Sequence, residues 1–234
     1  MNCKKCGRPM GKKGYCANCT PQAANKKTKE EVANLWCWIV GIVGVLAIIL
    51  ALIFAIDWGT APETEGAESV SGKHHVEIEI QDYGTIKLEL DANAAPITVA
   101  NFLSLAESGF YDGLTFHRIM EGFMMQGGNN GIPGSVENIK GEFRENGVDN
   151  PLSHTRGAIS MARADDMDSA SSQFFIVHEN STFLDGKYAC FGYVTEGIEI
   201  VDAICAFSST VVIDDNGTIP AEDQPVIVEI RVID

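Results

Sequence analysis

The segment FHRIMEGFMMQGG, residues 116–128, places six large apolar side chains around one histidine and one arginine, and it ends in two glycines. One interpretation is an amphipathic core strand whose charged side chains face water. The other is an apolar pocket with a single cation, Arg118, directed into it. The segment alone does not decide between the two, so the surrounding chain has to be considered.

The chain on either side of this segment has the pattern of short strands. Apolar residues alternate with polar ones over 76–80 and 86–90, and Asp82-Tyr83-Gly84 between them predicts a hairpin. Pro96 opens a stretch with helical apolar spacing that stops before Gly109. A second helix is predicted over 198–207, and further short apolar runs occupy 115–125, 158–161, 173–177, 189–194 and 226–233. Many short strands and only two helices predict a mainly β fold, a closed or nearly closed antiparallel barrel.

Charge is distributed unevenly along the 234 residues, whose net charge is −15. Residues 1–34 carry eight Lys or Arg against two Glu, which leaves nine basic and 30 acidic residues from Asp57 onward. A surface this acidic repels phosphates, so no nucleic-acid partner is expected for the large C-terminal part.

Residues 35–56 form an uncharged apolar stretch of 22 residues. As a helix it would be roughly 33 Å long, enough to cross a bilayer core, and Trp36, Trp38 and Trp58 lie near its ends, where aromatic belts form. A cleavable signal peptide is the alternative, but the run is longer than a typical signal core. The basic flank predicts a single-pass cell-membrane protein with a cytoplasmic N-terminus and an extracytoplasmic C-terminal part.

Four of the seven cysteines form two CxxC pairs, Cys3 with Cys6 and Cys16 with Cys19. Two such pairs can supply four thiolates in a tetrahedron, so a structural zinc site is predicted, with a redox CxxC as the alternative. The segment resembles the short zinc ribbons at the N-termini of many bacterial membrane proteins. Cys190 and Cys205 are isolated, and buried apolar packing is expected for both.

These patterns divide the chain into five parts. They are a zinc-ribbon-like module over 1–20, a basic juxtamembrane segment over 21–34, a transmembrane helix over 35–56, a flexible acidic linker over 57–73 and a globular domain over 74–234.

Within the globular domain, six short motifs resemble the successive signature blocks of cyclophilins, in the same order and at similar spacing. They are FHR at 116–118, GFMMQGG at 122–128, GAISMAR at 157–163, SQFFI at 172–176, LDGKY at 184–188 and FG at 191–192. The resemblance covers residues 74–234. It implies an eight-stranded barrel capped by two helices, with peptidyl-prolyl cis-trans isomerase activity.

That activity suits the residue types found here. Rotation about an X–Pro bond is slow because amide resonance gives the C–N bond double-bond character, with a barrier of ~18–20 kcal/mol. Two features would lower this barrier: an apolar pocket that binds the proline ring, and a fixed hydrogen-bond donor aimed at the prolyl nitrogen. Arginine, always charged and with a rigid fork of donors, suits the second role.

By match to the family's motifs, the resemblance makes Arg118 the catalytic residue. It implies a proline pocket formed by Phe123, Met124, Phe175 and Leu184, with substrate contacts from Gln126, Ala162, Arg163, Ala164, Gln173, Phe183 and Tyr188. Three of these depart from the best-known eukaryotic members: Arg163 replaces an asparagine, Phe183 a tryptophan and Tyr188 a histidine. For Gln126 and Gln173, hydrogen bonding within the barrel is the alternative.

The resemblance implies no cofactor for catalysis, so zinc is expected only in the N-terminal ribbon. Expected partners are proline-containing polypeptides, unfolded or secreted, together with the lipid bilayer through residues 35–56. A different class of function remains open, a proline-peptide binding module or holdase with incidental turnover. Binding of a peptide without faster cis/trans exchange would distinguish it.

Overall fold

The computed structural model describes residues 2–4, 6–10 and 70–234. The chain divides into two units, Met1–Glu65 and Gly66–Asp234. All eight strands and both α-helices found in the described residues belong to the second unit.

Alternation of apolar and polar side chains forms the first hairpin, as predicted. In both strands every second residue is apolar and buried, as Ile78 and Leu88 are, while the residues between them stay partly exposed. With six more strands they form one antiparallel sheet of eight: β1 (Lys73–Ile80), β2 (Gly84–Asp91), β3 (Phe116–Met120), β4 (Met124–Gly127), β5 (Ala158–Met161), β6 (Phe174–Val177), β7 (Cys190–Glu196) and β8 (Ile227–Val232).

The spatial order of the strands is β3-β4-β6-β5-β7-β2-β1-β8. The two outer strands approach each other next to their N-terminal ends, where Thr115 and Val226 form an antiparallel bridge. Backbone hydrogen bonds from Phe116 to Pro225 (3.0 Å) and from Ile227 to Leu114 (2.8 Å) reinforce that junction. The eight-stranded antiparallel architecture expected from the sequence is confirmed.

The apolar run 115–125 was predicted as one segment, but the structure divides it between two strands. β3 ends at Met120, and Phe123 N–H donates to the Met120 carbonyl at 3.0 Å to close a tight turn. Gly122 lies in the left-handed region, with φ of 78°. Because glycine adopts this conformation without steric cost, the chain reverses at Glu121-Gly122, the one polar and glycine step between the apolar side chains of β3 and β4.

Two helices accompany the sheet, α1 (Pro96–Glu107) and α2 (Ile198–Ser208), and both predicted helices are confirmed. Pro96 suits the first turn because its missing N–H needs no partner there. The carboxylate of buried Glu142 accepts from the Ile97 and Thr98 amides at 3.1 and 2.7 Å. A negative charge at this end stabilises the helix dipole, so a distant residue replaces a local cap.

The main core lies between the sheet and the helices and is rich in aromatic rings. Phe102 of α1 contacts Tyr111, Phe174 and Phe191, with ring centroids 5.3 to 5.4 Å apart. A smaller cluster contains Met124, Ala158, Phe175, Val177, Leu184 and Cys190. Cys190 and Cys205 are both buried, as predicted.

Two different constraints require glycine at positions 127 and 128, the end of the segment 116–128. A Cβ on Gly127 would meet the Thr115 carbonyl oxygen at 2.8 Å, so the close strand contact excludes a side chain. Gly128 has φ of 79°, and a Cβ on it would meet the Ser172 carbonyl oxygen at 2.8 Å.

In the first unit, the described residues form a short hairpin around Cys3 and Cys6. Asn2 pairs with Pro9, Cys3 N–H donates to the Arg8 carbonyl, and Gly7 N–H donates to the Cys3 carbonyl, both at 2.8 Å. Cys16, Cys19, the basic segment 21–34, the predicted transmembrane helix 35–56 and most of the linker lie outside the described residues. Within the described ranges, no helix combines the length and apolar character needed to cross a bilayer.

Candidate active site

Arg118 extends from β3 and is held on both sides. Its Nε donates to the Asn216 carbonyl at 2.7 Å, and its Nη1 donates to Gln126 Oε1 at 3.3 Å. Nη2 lies 3.2 Å from the Met120 sulfur, and Nη1 lies 3.8 Å from the Met124 sulfur. Sulfur is a weak acceptor, so these N–H groups are available to a stronger acceptor that enters the site.

The partial burial of Arg118 affects its pKa but not its charge. Desolvation lowers the pKa of the guanidinium, while the nearby Tyr188 and Asp214 act in the opposite direction. Arginine starts from so high a pKa that the group stays charged at neutral pH.

The guanidinium faces a cavity of about 220 Å³. The cavity is lined by nine of the residues that the sequence singled out: Arg118, Phe123, Met124, Gln126, Ala162, Arg163, Phe175, Leu184 and Tyr188. Because apolar side chains stand beside the Arg118 guanidinium, the site can seat a small apolar ring and offer it a hydrogen bond at one edge.

Three other candidate residues lie near the cavity without lining it. Gln173 accepts from Gln126 Nε2 at 3.0 Å, which fixes the Gln126 amide from behind. Phe183 is 63% exposed, and its ring lies 5.6 Å from that of Phe123 at the rim. The Ala164 N–H donates to Ser169 Oγ, and the Ala164 carbonyl accepts from Arg163 Nη1.

Arg163 lines the cavity but is occupied by its own surroundings. Its guanidinium carbon lies 5.2 Å from the Phe143 ring centroid and 4.8 Å from that of Tyr188. Its Nε donates to the Lys187 carbonyl at 3.0 Å. Stacking between two rings fixes this side chain as part of the wall.

Behind the cavity wall lies a buried histidine that sequence reasoning did not identify. The His154 ring stacks on Phe175, with centroids 6.0 Å apart. Its Nδ1 lies 2.8 Å from Asp185 Oδ1 and its Nε2 lies 3.0 Å from Ser160 Oγ. Burial lowers the pKa of His154, and Asp185 opposes that effect. Ser160 is fully buried, so this Ser-His-Asp arrangement braces the wall and offers no nucleophile to a substrate.

A second unpredicted element is the loop 214–218, which supplies the carbonyl that holds Arg118. The Asp214 carboxylate accepts from the Asn216 N–H at 2.9 Å and from the Thr218 N–H and hydroxyl at 3.0 and 2.7 Å. The hydrogen bonds from Thr218 contribute most to lowering the pKa of Asp214. The sequence DDNGT is a recognisable turn signal, but nothing in it indicates which side chain the turn will meet.

No group of three or more His, Cys, Asp or Glu in the described part of the chain is arranged to hold a metal ion. The candidate zinc ligands Cys3 and Cys6 are described, whereas Cys16 and Cys19 are not.

Comparison with known proteins identifies the class to which this fold and pocket belong. The family described as cyclophilin type peptidyl-prolyl cis-trans isomerase/CLD matches residues 75–232. The chain is 49% identical over 123 residues to peptidyl-prolyl cis-trans isomerase B of Bacillus subtilis, covering 51% of this chain and 82% of that protein. It is 44% identical over 126 residues to a Helicobacter pylori peptidyl-prolyl cis-trans isomerase, covering 52% and 74%.

Solved structures agree with this assignment. A crystal structure of a cyclophilin type peptidyl-prolyl cis-trans isomerase of Cryptosporidium parvum matches with a TM-score of 0.59 at 28% identity, covering 70% of this chain and 99% of that one. A structure of that protein in the presence of the dipeptide Ala-Pro gives 0.58 at 29% identity, covering 68% and 99%.

The chain therefore belongs to the cyclophilin family. More specifically, it is a peptidyl-prolyl cis-trans isomerase that acts on proline-containing peptides and needs no cofactor for this reaction.

Proposed function

We propose that Arg118 catalyses X–Pro rotation by donating a hydrogen bond to the prolyl nitrogen while the ring occupies the apolar cavity. As the amide twists out of conjugation, its nitrogen becomes a better acceptor, so the donor acts mainly in the transition state. The observation that carries this proposal is the guanidinium at the cavity edge, which Nε fixes on the Asn216 carbonyl while Nη1 and Nη2 contact only sulfur or the Gln126 amide oxygen.

The surroundings strengthen such a bond. A donor that is already oriented costs no reorganisation during the reaction, and a water-poor site makes its charge more effective. A thousandfold acceleration requires only about 4 kcal/mol of selective stabilisation, which is within the range of this mechanism. Gln126 and the backbone at Ala162 and Arg163 hold the residues that flank the proline.

The test is cis/trans exchange of a proline peptide, followed by NMR with the full-length protein at catalytic concentration. Faster exchange supports catalysis. Binding that leaves the exchange rate unchanged would instead favour a proline-peptide binding module or holdase.

A second part of the proposal concerns location and clients. Residues 35–56 anchor the chain in the cell membrane, and the isomerase domain faces outward and assists folding of unfolded or secreted polypeptides. The support is the uncharged 22-residue stretch with its basic N-terminal flank. External protease should degrade the isomerase domain in intact cells while sparing the N-terminus. Recovery of the protein in the soluble fraction, or a fully protected domain, would contradict the proposal.

The N-terminal module is proposed to hold one structural zinc ion through Cys3, Cys6, Cys16 and Cys19. The hairpin around the first pair supports this proposal because Cys3 and Cys6 lie in one tight turn, closed by the hydrogen bond from Gly7 N–H to the Cys3 carbonyl. So small a unit buries little apolar surface, so metal binding would supply its folding free energy.

A further inference from the structure

His178 connects α2 to the turn that carries a wall of the proline pocket. It directly follows β6 and is 9% exposed. Its backbone N–H donates to the Phe123 carbonyl at 2.9 Å, and its side-chain Nδ1 accepts from the Gly122 N–H at 2.8 Å. Both bonds fasten the β3–β4 turn, from which the Phe123 ring lines the cavity.

The other side of the imidazole faces α2. Its Nε2 lies 3.2 Å from Asp202 Oδ1, a charge contact without hydrogen-bond geometry. Arg156 donates from Nη2 to Asp202 Oδ2 at 2.7 Å and from Nη1 to the His178 carbonyl at 2.9 Å. The ring is therefore hydrogen-bonded at Nδ1 and faces a carboxylate at Nε2.

These contacts determine which nitrogen carries the proton. A backbone N–H can only donate, so Nδ1 must present a lone pair to Gly122. The proton of the neutral ring then lies on Nε2, facing the Asp202 carboxylate. A ring with the opposite tautomer would place two donors against each other at Gly122.

We propose that His178 is a positioning residue for substrate binding, because its Nδ1 lone pair fixes the Gly122 amide and thereby the Phe123 wall of the proline pocket. The inference rests on the proposed pocket but not on the role of Arg118. Phe123 contacts the proline ring equally in the ground state and the transition state, so loss of its position should raise KM and leave kcat little changed.

Two substitutions separate the two contacts of the ring. His178→Asn keeps an acceptor at the δ position and removes the part of the ring that carries Nε2 toward Asp202. His178→Gln keeps an amide donor that reaches Asp202 and removes the δ acceptor. Loss of one hydrogen bond predicts about a fivefold rise in KM for His178→Gln, with His178→Asn within about twofold of wild type.

A measurement that does not depend on these variants is the 15N spectrum of the full-length wild-type protein labelled on histidine and glycine. The expected result is a His178 Nδ1 without a proton, an Nε2 with one, and a Gly122 amide protected from exchange. In His178→Gln that protection should fall, whereas His178→Asn should retain it. The opposite tautomer, or equal KM values for the two variants, would overturn the proposal.

The same experiments separate this proposal from the catalytic one. Arg118→Ala should lower kcat while the Gly122 amide stays protected. A normal kcat in that variant would contradict the proposed role of Arg118 and would leave the conclusion about the His178 tautomer unchanged.

Discussion

Arg118 and Gln126 are opposite residues of β3 and β4, and the guanidinium Nη1 donates to Gln126 Oε1 across the pair at 3.3 Å. Gln126 Nε2 in turn donates to Gln173 Oε1 at 3.0 Å. Gln173 therefore sets the orientation in which the Gln126 amide presents oxygen, and not nitrogen, to the arginine.

Replacing Gln126 with leucine should reduce kcat/KM about three- to tenfold, the effect of one lost hydrogen bond of ordinary strength, since this contact is long at 3.3 Å. Steady-state exchange rates on a proline peptide measure it. Gln81→Leu is a matched control, since Gln81 lies in the exposed turn between β1 and β2. Wild-type activity in Gln126→Leu would show that the amide does not hold the guanidinium.

The loop 214–218 provides a second test of how the guanidinium is oriented. Asp214→Ala removes the acceptor that folds the loop, so the Asn216 carbonyl should lose its place against Arg118 Nε and kcat should fall several-fold. Asp214→Asn keeps an acceptor for the same amides and should recover most of the loss. The control is the neighbouring Asp215→Ala. A kcat in Asp214→Ala equal to that of the control would refute the positioning role.

Acid should destabilise the protein partly through His154. Burial holds the pKa of His154 below its ordinary value of 6.5, so the unfolded chain binds more protons in the interval beneath that value. Its contribution to the free energy of unfolding is therefore present above pH 6.5 and lost as pH falls toward the folded-state pKa. Burial lowers the pKa of His117 as well, so it adds to the same trend.

Denaturant unfolding at several pH values between about 7.5 and 5 measures this dependence. The slope should be shallower in His154→Gln, with a remainder from His117. An identical slope in the variant and the wild type would exclude His154 as a source.

For the N-terminal module, metal analysis of purified full-length protein should give about one zinc per chain, bound by four thiolates. Cys3→Ser combined with Cys6→Ser should remove the metal and leave isomerase activity unchanged. Cys37→Ser, outside both CxxC pairs, is the control and should retain the zinc. If the purified protein has intact thiols and contains no zinc, the proposed zinc site of the N-terminal module is contradicted.

The fold was predictable because its signals are local. Alternation around Ile78 and Leu88 fixes which face of the first hairpin is buried, and Pro96 marks the start of α1. The turn at Gly122 was not predicted from periodicity, since only Glu121 and Gly122 separate the apolar residues of β3 from those of β4.

The residues that line the site could be predicted for a related reason, because they lie within the family's short sequence motifs. The groups that orient those residues could not. Asn216 holds Arg118 through a backbone carbonyl, which any residue could supply, across a separation of 98 residues. His154 and Asp185 are 31 residues apart, and neither belongs to a pattern that pairs them. Such contacts depend on how the barrel brings distant loops together.

The central claim is that Arg118 acts in the transition state, and kcat of Arg118→Ala in the exchange assay tests it most directly. Arg231→Ala is the matched control, because Arg231 is an exposed arginine on β8 that pairs with Glu77. The account predicts a loss of at least about tenfold in kcat for Arg118→Ala, equivalent to about 1.4 kcal/mol, with the control close to wild type. Equal kcat values for the two variants would contradict it.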